Sequence, residues 1–217
     1  MAPRTRLVAA TGTLAATALL AACGGGDHDD KIASSPTPSA TTASPATPAS
    51  STPEADPSAP TFDFPSDVTI KIDPDTTGDA TKDAVLRDQA YGLDATYLAI
   101  SKLDEKLPVF TNYVIEGASE MWSESIASGR KNHRTVTGTV HFYDRKVTIS
   151  SSTTAGVTFC EDQSASYDKD SKTGKVYTTT PSVNDFLSHS VFMRKDKAGT
   201  WRIATYNSQR GAARCKP

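Results

Sequence analysis

Residues 33–60 consist of alanine, serine, threonine and proline, apart from Glu54 and Asp56, and they hold seven of the chain's 13 prolines. Proline interrupts helices and sheets, and the segment has no large apolar side chain with which to form a core. We therefore expect a disordered tether with polyproline II character over residues 23–60. A chain of 217 residues with such a segment has room for one folded domain, which must follow the tether.

The first 22 residues have the pattern of an export signal. Met1–Arg6 carries two arginines and no acid, and Leu7–Leu20 is an uncharged, mostly apolar run. This run is shorter than the roughly 20 residues that span a bilayer, so we predict a signal peptide over residues 1–22 rather than a permanent membrane helix. The two arginines are not adjacent, which favours a Sec-type route.

The apolar run ends in Leu20-Ala21-Ala22-Cys23. This resembles the bacterial lipobox, in which small residues precede a cysteine that receives a diacylglycerol and becomes the new N-terminus. The resemblance implies lipid attachment at Cys23 and a location on the extracytoplasmic face of the cell membrane. The alternative is an ordinary signal peptide in which Cys23 has no special role.

Three cysteines are an odd number for an exported protein. If Cys23 carries lipid, Cys160 and Cys215 remain, and an exported chain meets an environment that permits disulfides. We predict a disulfide between them. For a loop of this length, the reduced entropy of the unfolded chain should stabilise the fold by roughly 4 kcal/mol. The alternative is two free thiols.

Residues 61–79 differ in composition from the tether, with five aspartates against Lys71 alone. Within this acidic lead-in, Val68, Ile70 and Ile72 alternate with polar residues, which is typical of a strand. The lead-in either docks as an edge strand on the domain or remains extended. The net charge of the whole chain is −2, which disfavours nucleic acid as a partner.

Residues 80–217 change from helical to strand periodicity. Apolar residues at helical spacing predict a helix over 81–105, capped by Asp79 or Thr81, and a second over 110–128 with Gly129 as the residue after its end. Alternating patterns with turn residues between them then predict strands over 136–143, 146–150, 156–167, 175–180, 188–195 and 200–208. In the last strand, Trp201, Ile203 and Thr205 should share one face. Short hairpins after two helices indicate an α+β domain.

Three stretches of this domain carry a resemblance: Cys160-Glu161-Asp162-Gln163-Ser164, then Gly199-Thr200-Trp201-Arg202-Ile203, and the late Cys215. Over about residues 80–217 the chain resembles secreted lipoproteins of high-GC Gram-positive (actinobacterial) bacteria that carry a nuclear-transport-factor-2-like (NTF2-like), or SnoaL-like, domain. That resemblance implies N-terminal helices packed on a curved antiparallel sheet, which together form a cone that often holds a small ligand.

The sequence contains no motif for metal, phosphate or nucleophilic chemistry. HExxH, CxxC, GxSxG, GxGxxG and the P-loop pattern do not occur, so we expect no metal, no cofactor and no catalytic residue. Isomerases and cyclases with the cone fold use an Asp base with a His or Tyr, and Asp94 is the candidate base. The candidate pocket residues are Tyr97, Trp122, His141, Tyr143 and His189, with His141 and Tyr143 on one strand face that we assign to the concave side.

These observations favour a non-catalytic lipoprotein of the cell envelope that binds a small molecule or a partner protein. The alternative is an extracytoplasmic SnoaL-like isomerase or cyclase with an Asp, His and Tyr pocket. The interior of the cone discriminates between them. A deep cavity with an acid and a His or Tyr favours the enzyme, and an interior filled by Trp122, Phe142 and Phe192 excludes both activity and small-molecule binding.

Overall fold

The computed structural model describes residues 59–217. The predicted signal peptide, Cys23 and almost all of the predicted tether lie outside these residues. Within residues 59–217, no helix is both long enough and apolar enough to cross a bilayer.

The first helix, α1, spans Ala80–Lys102, close to the predicted 81–105. Of the two candidate caps, Asp79 is the one used, because its carboxylate accepts the backbone N–H groups of Thr81 and Lys82. Leu103 adopts the left-handed conformation and ends the helix. The apolar stripe is buried as expected, and its fully covered members include Val85, Leu86, Leu93 and Tyr97.

The second predicted helix is two helices in the structure: α2 spans Pro108–Tyr113 and α3 spans Glu116–Asn132. Val114 and Ile115 between them are extended, and the Ile115 N–H donates to the Ile203 carbonyl at 2.8 Å. The single-helix prediction was wrong because this contact with the last strand replaces a helical hydrogen bond.

The prediction that the second helix ends at residue 128, with Gly129 as the residue after its end, was also wrong. Helix α3 continues to Asn132, and His133 provides the left-handed cap. Gly129 has a packing role instead. A Cβ atom at this position would lie 2.7 Å from the Arg134 carbonyl oxygen, so the close approach of α3 to the following strand requires glycine.

Six strands form one sheet in the order β1-β2-β3-β5-β6, with β4 paired to β3. Their bounds are Val68–Ile72 for β1, Arg134–Ser151 for β2, Thr154–Asp170 for β3, Val176–Tyr177 for β4, Phe186–Lys195 for β5 and Trp201–Arg210 for β6. Neighbouring strands are antiparallel except that β1 runs parallel to β2. The acidic lead-in therefore docks as an edge strand, which decides between the two alternatives.

Two predicted strands, 136–143 and 146–150, are one strand, β2, interrupted by a bulge. The register shifts between Tyr143 and Lys146, and Asp144 has a φ of 52°. A bulge adds residues on one strand and changes the direction of the side chains there. In this way Arg145 becomes buried although its neighbours Asp144 and Lys146 are exposed.

The buried guanidinium of Arg145 fastens the lead-in to α1. It donates to the Asp75 carboxylate and the Asp73 carbonyl at 2.9 Å each, and on α1 to the Leu86 carbonyl at 2.9 Å and Gln89 Oε1 at 3.0 Å. We call this group the Arg145 cluster. It holds the aspartate-rich segment in place together with the pairing of β1 to β2 and the packing of Phe64, Ile70 and Ile72 against the core.

The helices pack on one face of the curved sheet and enclose the core between the two layers. The predicted class, α+β with N-terminal helices on a curved antiparallel sheet, is confirmed, with the parallel β1 as an addition. The expectation that Thr205 shares a strand face with Trp201 and Ile203 is wrong. A bulge at Ala204 leaves Thr205 exposed, while Trp201 and Ile203 are buried. The largest fully buried side chains are Trp201, Phe110, Phe142, Phe159, Leu86 and Leu93.

Cys160 and Cys215 form the predicted disulfide, with their Cα atoms 5.4 Å apart. Cys160 lies on β3 between Phe159 and Glu161, which point to the opposite, helix-covered side because side chains alternate along a strand. The disulfide therefore fastens the C-terminal turn to the outer face of the sheet. There the Tyr143 hydroxyl donates to the Cys215 carbonyl.

Candidate functional site

A cavity of about 490 Å³ lies between the helices and the sheet. Its volume is within the range of roughly 300–1,000 Å³ that is usual for small-molecule sites. The helical wall is mostly apolar and the sheet wall is mostly polar. The helical wall is formed by Ile100, Leu103, Met121, Trp122 and Ile126, and the sheet wall includes Arg134, Gln163, Ser166, Asp168, Ser208 and Arg210.

At the floor of the cavity lies a buried carboxylate, Glu161, whose residue is only 2% exposed. Its Oε1 accepts from the Tyr97 hydroxyl and, at 2.7 Å, from Gln163 Nε2. Its Oε2 lies 2.6 Å from His189 Nε2, and because a carboxylate only accepts, the imidazole donates from that nitrogen. We call these four residues the Glu161 cluster. They join α1, β3 and β5 beneath the cavity.

Two phenols near this carboxylate are held in their neutral form. Burial raises the pKa of Tyr97 well above its ordinary value, and the negative charge and hydrogen bond of Glu161 raise it further. Burial and the same charge also raise the pKa of Tyr206. Both phenols therefore stay protonated at physiological pH, and Tyr97 donates its proton to Glu161 in a hydrogen bond.

Aromatic rings form the rest of the floor. Tyr206 meets Trp122 and His189 edge to face, with ring centroids 5.3 and 5.2 Å apart, and the His189 ring stacks on Phe159 at 4.8 Å. Two nitrogens in this group, His189 Nδ1 and Trp122 Nε1, are buried without a hydrogen-bond partner. Buried polar atoms without partners are uncommon, and these two belong to residues that line the cavity.

The structure brings three of the five candidate pocket residues together, because Tyr97, Trp122 and His189 all line this cavity. His141 and Tyr143 do not line it, and their assignment to the concave face is corrected. Between them on β2, Phe142 points inward and is fully buried, so its two neighbours point outward. His141 Nε2 lies 2.7 Å from Asp73 Oδ1, and Tyr143 contacts the C-terminal turn.

Asp94, the candidate catalytic base, is also absent from the cavity lining. It is partly buried on α1, and burial raises its pKa to about 7 although the positive charge of Arg145 acts in the opposite direction. Its charge therefore belongs with the Arg145 cluster and not with the cavity.

Glu161, Gln163 and Tyr206 line the site but were not among the pocket residues predicted from the sequence. A signal for Glu161 was present: Phe159, Glu161 and Gln163 alternate with Cys160 and Asp162, so an acid occupies an inward-facing strand position. No group of three or more His, Cys, Asp or Glu side chains suited to hold a metal occurs within residues 59–217.

No protein-family profile matches the sequence, and no curated protein matches it. Solved structures with a similar fold include a ketosteroid isomerase-like protein from Erwinia carotovora atroseptica, with 17% identity over 56% of this chain and 92% of that chain and a TM-score of 0.38. An NTF2-like superfamily protein from Salmonella enterica has 14% identity over 60% and 93%, with a TM-score of 0.39.

The association domain of C. elegans CaMKII is also similar in fold, with 18% identity over 60% of this chain and 95% of that chain and a TM-score of 0.37. The fold that these structures share with this chain is the NTF2-like fold expected from the sequence. They transfer no activity, ligand or site residue to this chain.

Proposed function

We propose that this chain is a lipoprotein anchored through Cys23 on the extracytoplasmic face of the cell membrane. We also propose that its domain binds a small, largely apolar molecule without transforming it. The lipobox-like Leu20-Ala21-Ala22-Cys23 supports the anchor. The Cys160–Cys215 disulfide supports an oxidising compartment, because disulfides persist mainly outside the cytosol.

The observation that carries the binding proposal is the open cavity. The helical wall offers apolar surface and the sheet wall offers hydrogen-bonding groups, which is the combination found in small-molecule sites. The three aromatic residues considered as fillers leave this volume free: Trp122 is part of its wall, and Phe142 and Phe192 are not among its lining residues. A small molecule therefore suits the site better than a partner protein.

The bonding of Glu161 supports a non-catalytic role. A general base needs a lone pair that reaches the substrate, and this carboxylate already accepts from Tyr97, Gln163 and His189. Its side chain is 3% exposed, so little of it faces the cavity. The cluster thus supplies a fixed floor beneath a bound molecule.

Binding can be tested on the full-length chain carrying Cys23→Ala, with the neutral fluorescent probe N-phenyl-1-naphthylamine. Ser125 is an exposed residue of α3 at the cavity lining, so Ser125→Phe should fill the mouth without disturbing the core and weaken probe binding about tenfold. Ser128→Phe, on the same helix but outside the lining, is the matched control and should bind as the parent does. Equal binding by both variants would contradict the proposal.

The anchor is tested by metabolic labelling with an alkyne analogue of palmitate. The unmodified chain should incorporate the label and Cys23→Ala should not. The double variant Cys160→Ala/Cys215→Ala controls for the loss of a cysteine and should still be labelled. Label in the Cys23→Ala protein, or none in the unmodified chain, would defeat the proposed attachment.

A second candidate function, an isomerase-type enzyme, is favoured by one observation. Glu161 orients His189 through Nε2 and leaves Nδ1 without a partner, which is how a carboxylate prepares an imidazole to act as a base. The test is deuterium incorporation next to the carbonyl of 2-decanone in D₂O. Exchange that disappears in His189→Gln would establish proton abstraction at this site, and exchange no faster than in buffer would exclude it for this ketone.

A further inference from the structure

Arg134, the first residue of β2, lines the polar wall of the cavity without an acidic partner. Its guanidinium carbon lies 3.6 Å from the centre of the Tyr177 ring, and its Nη1 is buried without an acceptor. No carboxylate within residues 59–217 approaches within 4 Å of this guanidinium. A half-buried cation in this state lacks the acceptor that usually accompanies it.

A second cation shares the same ring. Lys175 Nζ lies 5.1 Å from the Tyr177 ring centre and also forms no ion pair with the described residues. Two like charges on one aromatic ring repel each other, and an anion nearby would relieve this repulsion.

Two aspartates near this end of the sheet do not neutralise the pair. Asp170 faces Arg134 across the β2–β3 ladder, but its carboxylate accepts the backbone N–H groups of Lys172 and Thr173 in the turn at 3.0 and 2.8 Å. Asp168 is exposed at the cavity lining and forms no ion pair with Arg134. Neither carboxylate therefore forms a direct ion pair with the Arg134 guanidinium, although both lie on the neighbouring strand.

A second guanidinium borders the same polar wall. Arg210, the last residue of β6, donates to Gln163 Oε1 at 3.1 Å and to the Asn184 carbonyl at 2.7 Å, which fixes its position at the lining. The strand register places Arg210 level with Glu161 and pairs Arg134 with Asp170 further along β3, so the two arginines line the same cavity at different positions along the sheet. Arginine is suited to carboxylates because its planar fork donates two parallel hydrogen bonds.

We infer that the molecule bound in the cavity is an amphipathic carboxylate, with its apolar body against the helical wall and its carboxylate at Arg134. This inference rests on the proposed binding function and adds the chemical class of the ligand. The apolar wall of Ile100, Leu103, Met121, Trp122 and Ile126 accounts for the body, and the unpaired guanidinium accounts for the charge.

The test compares decanoate with decan-1-ol, which has the same chain and no charge, as competitors of N-phenyl-1-naphthylamine on the full-length Cys23→Ala protein. Decanoate should bind about tenfold more tightly than decanol. Arg134→Gln should remove this advantage and leave decanol binding unchanged. Lys131→Gln removes a nearby exposed charge outside the lining and should change neither affinity, which controls for net charge.

A second variant guards against a folding defect in Arg134→Gln. Lys175→Gln changes an exposed loop residue and should weaken decanoate binding about threefold, since the contribution of this more distant charge is screened by salt. Equal affinities for decanoate and decanol, or an equal loss of both in Arg134→Gln, would overturn the inference while the cavity remains a binding site. Failure of all three compounds to bind would overturn the proposed function as well.

Discussion

The Arg145 cluster and the Glu161 cluster each bury one charged side chain within the same domain, yet their surroundings differ. Arg145 meets backbone carbonyls, an amide and the partly exposed carboxylate of Asp75. Glu161 meets only side chains, and its imidazole partner His189 is as buried as the acid itself. The first cluster joins chain segments, and the second forms the floor of a cavity.

This difference indicates which buried charge belongs to the candidate site. Backbone carbonyls from the lead-in and α1 hold Arg145 in a position that is part of the fold and outside the cavity lining. The Glu161 cluster instead adjoins the open volume of the cavity. Burial of a charge alone does not identify a site, whereas burial of a charge next to a cavity points to one.

The largest expected effect is on the Glu161 cluster. Glu161→Ala should lower the free energy of unfolding by about 3–5 kcal/mol, because two buried donors, Tyr97 and His189, and the partly buried Gln163 lose their acceptor. Urea unfolding followed by circular dichroism measures this, and Glu120→Ala, at an exposed position of α3, should change it by no more than about 0.5 kcal/mol. A loss as small as that of the control would mean that the donors find other acceptors.

The next prediction concerns the Arg145 cluster and tests whether it is independent of the Glu161 cluster. Arg145→Met should lower the free energy of unfolding by about 2–3 kcal/mol, less than Glu161→Ala because water can reach Asp75. It should also speed proteolysis in the lead-in and leave the affinity for N-phenyl-1-naphthylamine unchanged. Arg194→Met, which removes an exposed ion pair with Glu116, should cost less than about 1 kcal/mol. Weaker probe binding in Arg145→Met would show that the clusters are not independent.

The smallest effect concerns Asp94, whose pKa is raised by burial to about 7 near Arg145. A carboxyl with a raised pKa in the folded state destabilises the fold progressively as pH rises from about 4 to about 7. Asp94→Asn should therefore stabilise the protein by about 1–2 kcal/mol near pH 8, since the side chain is only partly buried.

The same variant provides its own control, because below about pH 3 the carboxyl of the parent is largely protonated in both the folded and the unfolded state and the difference should vanish. Thermal unfolding of both proteins across this pH range measures the effect. A stabilisation that does not depend on pH would contradict the role assigned to the charge of Asp94.

The local features of the fold followed from the sequence because they depend on neighbouring residues. The apolar stripe of α1, its cap at Asp79 and the turn between β5 and β6 need only side-chain periodicity and local hydrogen bonds. The break between α2 and α3 could not be predicted in this way, because Ile115 leaves the helix to bond with Ile203, which lies far along the chain.

The prediction of the candidate site shows the same limit, because two of its five residues lie outside the cavity. Tyr97, Trp122 and His189 were candidates because of their chemistry, and they meet at the cavity. His141 and Tyr143 were chosen by the same reasoning, but the choice between the two faces of β2 depends on which face the helices cover. Glu161 was not singled out, since its importance comes from partners on α1 and β5.

By itself, the sequence determined that one α+β domain follows a proline-rich segment, and it predicted the pairing of Cys160 with Cys215 on the condition that Cys23 carries lipid. Composition, periodicity and cysteine number carry this information because each is a property of the chain without its long-range contacts. Only the tertiary structure decided that β1 docks parallel to β2, that the cone encloses an open cavity, and that Glu161 and Arg134 face it. These features depend on bulges, strand register and packing between distant segments, whose energies no local pattern contains.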